Sequence, residues 1–318
     1  MLCKMGIDDP QQDNVISAAD LICRRTTLVP RIAIILGTGL GGFAESVNIE
    51  AVLPYAEVPG FHQPTASSHR GRVIIGRVQE TPVILLQGRL HLYEGYNLDE
   101  IAFPTRLLAK LGIDTLITSC AAGGLHPEFR VGDLMIIRDH IDFLRPSTSI
   151  LNSRYKSCSP LEKKDQVKVA SQVDWSPCQP ALRGRMSCQS TSTGRQSGPS
   201  PEVYSLPLIT RLESLAREQG TRLQQGVYVS VPGPNYETRA EIRFYGGMAD
   251  AIGMSVVPEV ICARQLKMEV VALAAITNMC QPGADSIANS AHVTAAAEHV
   301  EPRFRQLVLG LIHQQIVD

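Results

Sequence analysis

The chain has 318 residues, of which 44% are hydrophobic and 19% charged, and 30 basic residues nearly balance 31 acidic ones. This length can bury a large core, so it fits one large α/β domain or two smaller ones. The near-neutral charge argues against a nucleic-acid-binding or membrane-surface protein, and no apolar run approaches the roughly 18 residues that span a membrane. The first residues lack an apolar stretch of the signal-peptide kind, which predicts a cytoplasmic protein with free thiols.

In chain order, the alternation of apolar and amphipathic runs predicts the following elements. They are a helix at 14–25, strands at 31–36, 72–78 and 82–87, a helix at 98–111, strands at 115–120 and 134–138, a helix at 204–218, a strand at 227–231, helices at 238–246 and 258–266, a strand at 270–277 and a helix at 292–314. Pro302 lies inside the last helix and predicts a kink or a break there. Strands that alternate with helices are typical of an α/β architecture with a parallel or mixed sheet.

One segment differs in composition from the rest of the chain. Residues 147–200 contain twelve serines, three of the eight cysteines and the only tryptophan. With eight basic and three acidic residues, this segment has a charge of +5, which leaves −6 for the remainder. It shows no helical or strand periodicity, so we predict an atypical, disordered segment within a single domain of residues 1–318. A genuine insertion and a frameshifted coding sequence would both give this composition.

A glycine-rich loop follows the strand at 31–36. Residues 37–42 read Gly-Thr-Gly-Leu-Gly-Gly, which matches the G-x-G-x-x-G pattern. The backbone N–H groups of such a loop can hold an anion, and Thr38 adds a hydroxyl. A dinucleotide site would also need an acidic residue at the end of the next strand, and a simple tight turn has the same composition. The loop therefore leaves an anion site, a dinucleotide site and a structural turn open.

Two further loops carry side chains that suit an anion. Arg89, His91 and Tyr93 alternate after the strand at 82–87, so they lie on one side of an extended segment. A guanidinium and an imidazole two residues apart can bind a phosphate dianion. The small residues at 119–125 allow a backbone to approach a ligand closely, although a tight turn would use them as well.

A carboxylate and an amide follow two other strands. Glu237 lies in Pro-Gly-Pro-Asn-Tyr-Glu-Thr, where it either caps the next helix or contacts a ligand. Asn278 ends an apolar strand, where its amide needs a turn or a ligand as partner. Because ligands bind at the carboxyl ends of strands in α/β sheets, these loops together predict one site for an anion and a polar heterocycle or sugar. The sequence contains no P-loop, nucleophile elbow or metal-ligand motif, so we expect a site without a metal.

These motifs resemble the trimeric, low-molecular-mass class of purine nucleoside phosphorylases, which acts on 6-oxopurine nucleosides. The matching stretches are ILGTGLGG, QGRLHLYEGY, AAGGL, VGDLMIIRDHI, VPGPNYET, IGMSVVPEVICAR and AITN, within residues 33–141 and 226–312. The resemblance implies a single α/β domain with a mixed central sheet flanked by helices, a homotrimer, and phosphorolysis of nucleosides with inorganic phosphate as a substrate.

The resemblance also implies a role for each site residue. The implied phosphate ligands are Thr38, His69, Arg89, His91, the backbone N–H of Ala121, and Ser255. The implied nucleoside contacts are Tyr93 and Met254 at the ribose, Tyr236 stacked on the sugar or base, Glu237 and Asn278 at the purine, and His292 at the ribose 5′-hydroxyl. The residues expected to be catalytic are Asn278, Glu237 and His91.

The chain departs from the family pattern at three places, and these keep alternatives open. Thr38 replaces the usual serine, Cys120 replaces the usual asparagine, and residues 147–200 replace a loop that supplies an aromatic residue to the neighbouring subunit. The altered segment makes a non-catalytic or weakly active homologue one alternative. A methylthioadenosine phosphorylase, which generally has aspartate where Asn278 stands, is another, and a nicotinamide-dependent enzyme is a third.

Overall fold

A computed structural model describes residues 10–145, 202–281 and 289–314, so the predicted atypical segment at 147–200 lies outside the described residues. The described residues form six helices and nine strands. The helices are α1 (Pro10–Arg25), α2 (Leu98–Lys110), α3 (Leu206–Glu218), α4 (Arg239–Tyr245), α5 (Val257–Gln265) and α6 (Ser290–Gln314). The strands are β1 (Ile32–Leu36), β2 (Asn48–Pro54), β3 (Arg72–Val78), β4 (Thr81–Gln87), β5 (Thr115–Gly124), β6 (Leu134–Asp142), β7 (Leu223–Ser230), β8 (Ala251–Gly253) and β9 (Glu269–Met279).

The nine described strands form one mixed sheet in the order β2-β3-β4-β1-β5-β8-β7-β6-β9. Strands β4, β1, β5 and β9 run parallel, whereas β8 runs antiparallel to β5 and β6 runs antiparallel to β9. Strand β9 pairs with β5 as well as with β6, so five strands close into a ring. The predicted mixed α/β fold is confirmed. The sequence does not reveal the closure, because open and closed sheets have the same buried apolar strands.

The sequence analysis did not predict two of the strands, and it interpreted as a loop one segment that lies mostly within a strand. Strand β2 has mostly exposed side chains and β8 has three residues, so neither has a clear apolar pattern. Strand β5 continues through Gly124, so most of the segment at 119–125, predicted to follow a strand, lies inside one. Its small residues have low strand propensity, but β9 pairs with them along the whole length of β5.

The predicted break at Pro302 is wrong, because α6 continues through this residue. The helix buries Val300, Phe304, Leu307 and Leu311 completely. Burial of four large side chains outweighs the one backbone hydrogen bond that proline removes.

No helix in the described part of the chain is long and apolar enough to cross a bilayer.

Candidate active site

A cavity of about 480 Å³ is lined by residues that end or follow β1, β4, β5, β7, β8 and β9. Eleven of the twelve predicted site residues line it, namely Thr38, His69, Arg89, His91, Tyr93, Ala121, Tyr236, Glu237, Met254, Ser255 and Asn278. The twelfth, His292, is exposed in the first turn of α6, although its neighbours Ser290 and Val293 line the cavity. The structure thus brings the predicted loops together around one space.

Arg89 forms the centre of what we call the arginine cluster, with Thr118, Ser119, Ser255 and Glu259. Its Nη1 donates to the Ser119 carbonyl oxygen at 2.6 Å and to the Ser255 Oγ at 3.3 Å, and its Nη2 donates to the Thr118 Oγ1 at 2.8 Å. Its Nε lies 3.1 Å from the Glu259 Oε1, and both side chains of this ion pair are 3% exposed. The guanidinium is therefore held between β5 and the start of α5.

A tight turn at Val256 brings α5 to the arginine cluster. Val256 has φ +70° and ψ −50°, and the Val257 N–H donates to the Ser255 carbonyl oxygen at 2.8 Å. These features define a γ-turn of the rare positive-φ kind, which costs a β-branched residue about 1–3 kcal/mol. Because β8 runs antiparallel to β5, the turn places Ser255 beside the middle of β5. It also starts the helix that carries Glu259.

Three aromatic rings form a stack beside the arginine cluster. The ring centroids of His69 and His91 are 5.3 Å apart at 19°, and those of His91 and Tyr93 are 4.7 Å apart at 14°. Below the stack, Glu94 Oε1 accepts from the His91 backbone N–H at 2.9 Å and lies 2.8 Å from His91 Nδ1. Glu94 Oε2 accepts from the backbone N–H and the Oγ1 of Thr65. Glu94 therefore ties the end of β4 to the loop that carries His69.

The environment sets the charge of this stack. Burial, together with the nearby charges of His91 and Arg89, lowers the pKa of His69 to about 3, so its ring is neutral near pH 7. Burial alone would raise the pKa of Glu94, but hydrogen bonds from His91 and Thr65 lower it to about 2. The His69 Nε2 is buried and has no hydrogen-bond partner among the described residues. A ligand in the cavity can supply that partner.

A second group, the amide cluster, consists of Asn278, Thr277, Cys280 and Glu237. The Thr277 hydroxyl lies 3.3 Å from the Ala122 carbonyl oxygen and 3.2 Å from the Asn278 Oδ1, and Nδ2 is the other end of this amide. That Nδ2 lies 3.4 Å from the Cys280 Sγ, and the Cys280 thiol faces the Glu237 Oε2 at 3.9 Å. The carboxylate and the amide that the sequence predicted at separate loops thus share one thiol contact.

Backbone irregularities position the amide cluster. The register between β5 and β9 shifts after Ala122, which leaves Thr277 as an extra residue and re-aims Asn278. A Cβ at Gly123 would lie 2.5 Å from the Cys280 Sγ, so only glycine fits there. Strand β5 needs its small residues for this close approach.

Glu237 does not cap α4. The Thr238 side chain accepts from the Glu241 backbone N–H and is the N-cap residue, so the capping interpretation of Glu237 is wrong. The Glu237 side chain lines the cavity, and burial raises its pKa above the usual value for glutamate.

The sequence analysis missed Glu94, Glu259, Thr277 and Cys280. Glu94 could have been found, because it lies three residues after His91 inside the same motif. Glu259 had a weaker signal, as an acid among the apolar residues of a predicted helix. Cys280 had no signal. Within the described ranges, no group of three or more histidine, cysteine, aspartate or glutamate side chains could hold a metal ion.

Comparison with known proteins identifies relatives over nearly the whole chain. A family model described as the phosphorylase superfamily matches residues 31–313. Purine nucleoside phosphorylase 1 of Bacillus subtilis is 33% identical over 304 residues, which cover 95% of this chain and 99% of that protein. Purine nucleoside phosphorylase of Bos taurus is 35% identical over 282 residues, which cover 88% of this chain and 87% of that protein. The crystal structure of the Schistosoma mansoni purine nucleoside phosphorylase in complex with adenosine matches with a TM-score of 0.73 and 30% identity, covering 95% of this chain and 97% of that one.

Proposed function

The chain belongs to the phosphorylase superfamily, and from this premise we propose that it cleaves purine nucleosides with inorganic phosphate. The reaction breaks the bond between the purine N9 and the sugar C1′ and forms a bond between C1′ and a phosphate oxygen. The products are a free base and ribose 1-phosphate or deoxyribose 1-phosphate, as in purine salvage. We propose 6-oxopurine nucleosides such as inosine and guanosine as the substrates.

One observation carries this proposal: Arg89 and Ser255 of the arginine cluster line the same cavity as the amide cluster. Together with His69 and His91, the first offers a guanidinium, hydroxyls and imidazoles, which are the groups that bind a phosphate dianion. The second offers an amide donor and a carboxylate acceptor, which suit the edge of a purine. A volume of about 480 Å³ is within the ordinary range for small-molecule sites.

In the proposed mechanism, the arginine cluster orients phosphate for attack on C1′. Arg89, Ser255, Thr38 and the backbone N–H of Ala121 hold its oxygens. His69 donates or accepts through its otherwise unpartnered Nε2. His91 is fixed by Glu94 through Nδ1, which leaves Nε2 for phosphate. Bound in this way, phosphate serves as nucleophile and as counter-charge for the oxocarbenium-like centre that develops at C1′.

The amide cluster stabilises the leaving purine. The Asn278 Nδ2 donates to N7, which gains negative charge as the glycosidic bond breaks, so this hydrogen bond strengthens in the transition state. Glu237 accepts from the N1–H of a 6-oxopurine. Adenine has no such hydrogen, so it would leave the half-buried carboxylate unpaired. Tyr93, Met254 and Tyr236 provide contacts to the sugar and base. Phosphate is a substrate, and the proposed chemistry requires no cofactor.

The decisive experiment measures hypoxanthine release from inosine with and without inorganic phosphate. We expect release that requires phosphate and produces ribose 1-phosphate in equal amount. Methylthioadenosine, tested at the same concentration, should be cleaved far more slowly. Absence of phosphate-dependent release would refute the proposal, and preference for methylthioadenosine would assign the chain to that activity instead.

We also propose that the protein works as a homotrimer in the cytoplasm, and both statements stay predictions. Light scattering during size-exclusion chromatography tests the trimer, and an active monomer would refute it. The position of His292 at the ribose 5′-hydroxyl likewise stays a prediction, because this side chain is exposed beside the cavity. Equal kcat/KM of a His292→Ala variant for inosine and 5′-deoxyinosine, with wild type discriminating between them, would support that role.

A further inference from the structure

The buried carboxylate of Glu259 lies directly behind the guanidinium that faces the cavity. Its Oε1 is 3.1 Å from the Arg89 Nε, and its side chain is 3% exposed. Its Oε2 is buried and has no hydrogen-bond partner among the described residues. A buried carboxylate is costly unless it is well paired and hydrogen-bonded, so this one contributes little to stability as built. Its position beside Arg89 calls for a role in the site.

The position of Glu259 matters because its carboxylate opposes the formal positive charge of Arg89. His69 is neutral near pH 7, and Glu94 is ionised beside His91. Arg89 carries a permanent positive charge at this end of the cavity, and Glu259 contacts it at Nε, whereas the hydroxyls of Ser255 and Thr118 contact its Nη atoms. A charge at this distance in a dry environment changes the potential at the site strongly.

We propose that Glu259 is a positioning residue that fixes Arg89 and offsets part of the positive charge that Arg89 presents to phosphate. This inference rests on the proposed function. During phosphorolysis, phosphate loses negative charge as its oxygen bonds to C1′. An unopposed guanidinium would therefore stabilise bound phosphate more than the transition state, which tightens binding and slows the reaction. By opposing Arg89, Glu259 leaves the negative charge of phosphate available to the sugar.

The proposal predicts that a Glu259→Gln variant binds phosphate more tightly than the wild type. Glutamine keeps the size and an oxygen near the Arg89 Nε but removes the charge. We expect inorganic phosphate to bind roughly five- to tenfold more tightly, and kcat for inosine to fall roughly tenfold. The KM for phosphate should fall together with kcat. If Glu259 only supported the fold, the variant would bind phosphate more weakly than the wild type, because Arg89 would be misplaced.

Phosphate affinity should be measured by isothermal titration calorimetry and by the rise in Tm that phosphate produces. These two readouts do not depend on turnover. The matched control is Glu301→Gln, because Glu301 is also buried and paired with an arginine, but that arginine, Arg305, does not line the cavity as Arg89 does. This control should leave phosphate affinity and kcat unchanged. Equal or weaker phosphate binding by folded Glu259→Gln would overturn the proposal.

A second variant keeps the test decisive if Glu259→Gln fails to fold. Glu259→Asp retains the charge but moves it away by one methylene, so its phosphate affinity should exceed that of the wild type only slightly. Weaker phosphate binding by this variant would overturn the proposal. The two hypotheses fail separately. If the wild-type protein does not cleave inosine, the proposed function alone is refuted. If the wild type is active and the Glu259 variants have the same phosphate affinity and kcat, the role of Glu259 alone is refuted.

Discussion

Replacement of Glu94 by glutamine should lower the free energy of unfolding by an amount that depends on pH and that the structure allows us to calculate. The Glu94 side chain is 1% exposed and accepts hydrogen bonds from both His91 and Thr65. These bonds lower its pKa from 4.5 to about 2. Glutamine mimics the protonated carboxyl, so it removes the stabilisation that the ionised form contributes.

The magnitude follows from linkage between protonation and folding. A shift of this size corresponds to about 3 kcal/mol of stability at pH 7, with 1.36 kcal/mol for each pH unit. The pKa is depressed in the folded state, so the contribution is complete above about pH 4.5 and is lost as the pH falls toward about 2. At pH 3 only about 1.4 kcal/mol should remain.

Urea denaturation of both proteins at several pH values between about 3 and 7 tests this reasoning. The difference in free energy of unfolding should shrink as the pH falls. Glu241→Gln is the matched control, because Glu241 also accepts from a threonine N–H and hydroxyl but is fully exposed outside the cavity. It should have a much smaller effect. A Glu94→Gln difference that is independent of pH would contradict the assigned hydrogen bonds.

Three further predictions concern catalysis. Asn278→Ala should lower kcat for inosine by roughly 10²–10³-fold, the cost of one lost transition-state hydrogen bond, and an unchanged kcat would refute its contact with N7. Arg89→Gln should raise the KM for phosphate by roughly 30-fold or more. The control Arg31→Gln, at an exposed ion pair outside the cavity, should leave this KM unchanged. Equal effects of the two substitutions would contradict the assignment of Arg89 to the phosphate site. Because burial raises the pKa of Glu237, its protonated form should be present at higher pH than for an ordinary glutamate and should donate to N1 of adenine. The ratio of adenosine to inosine cleavage should therefore rise as the pH falls, and a constant ratio would contradict this role.

The local sequence pattern predicted most elements because their signals are local. The apolar runs at β1, β4 and β9 and the start of α2 at Leu98 appear where they were expected. Strand β8 and the γ-turn at Val256 did not have such signals. Both exist because neighbouring strands and the buried α5 hold them in place, and these contacts involve residues far apart in the chain.

The candidate site divides in the same way. The sequence alone determined which residue types the site contains, since Thr38, Arg89, His91, Glu237 and Asn278 each follow an apolar strand in a recognisable motif. Their chemistry is a property of the side chains and does not depend on the fold.

Only the tertiary structure decided what each of these groups can do. It pairs Arg89 with Glu259 from a helix 170 positions later, neutralises His69 by burial and joins Asn278 to Glu237 through Cys280. Charge, hydrogen-bond partners and pKa depend on distances between groups that are remote in sequence. A single sequence carries no direct record of those distances, so they emerge only when the sheet closes and brings its strand ends together.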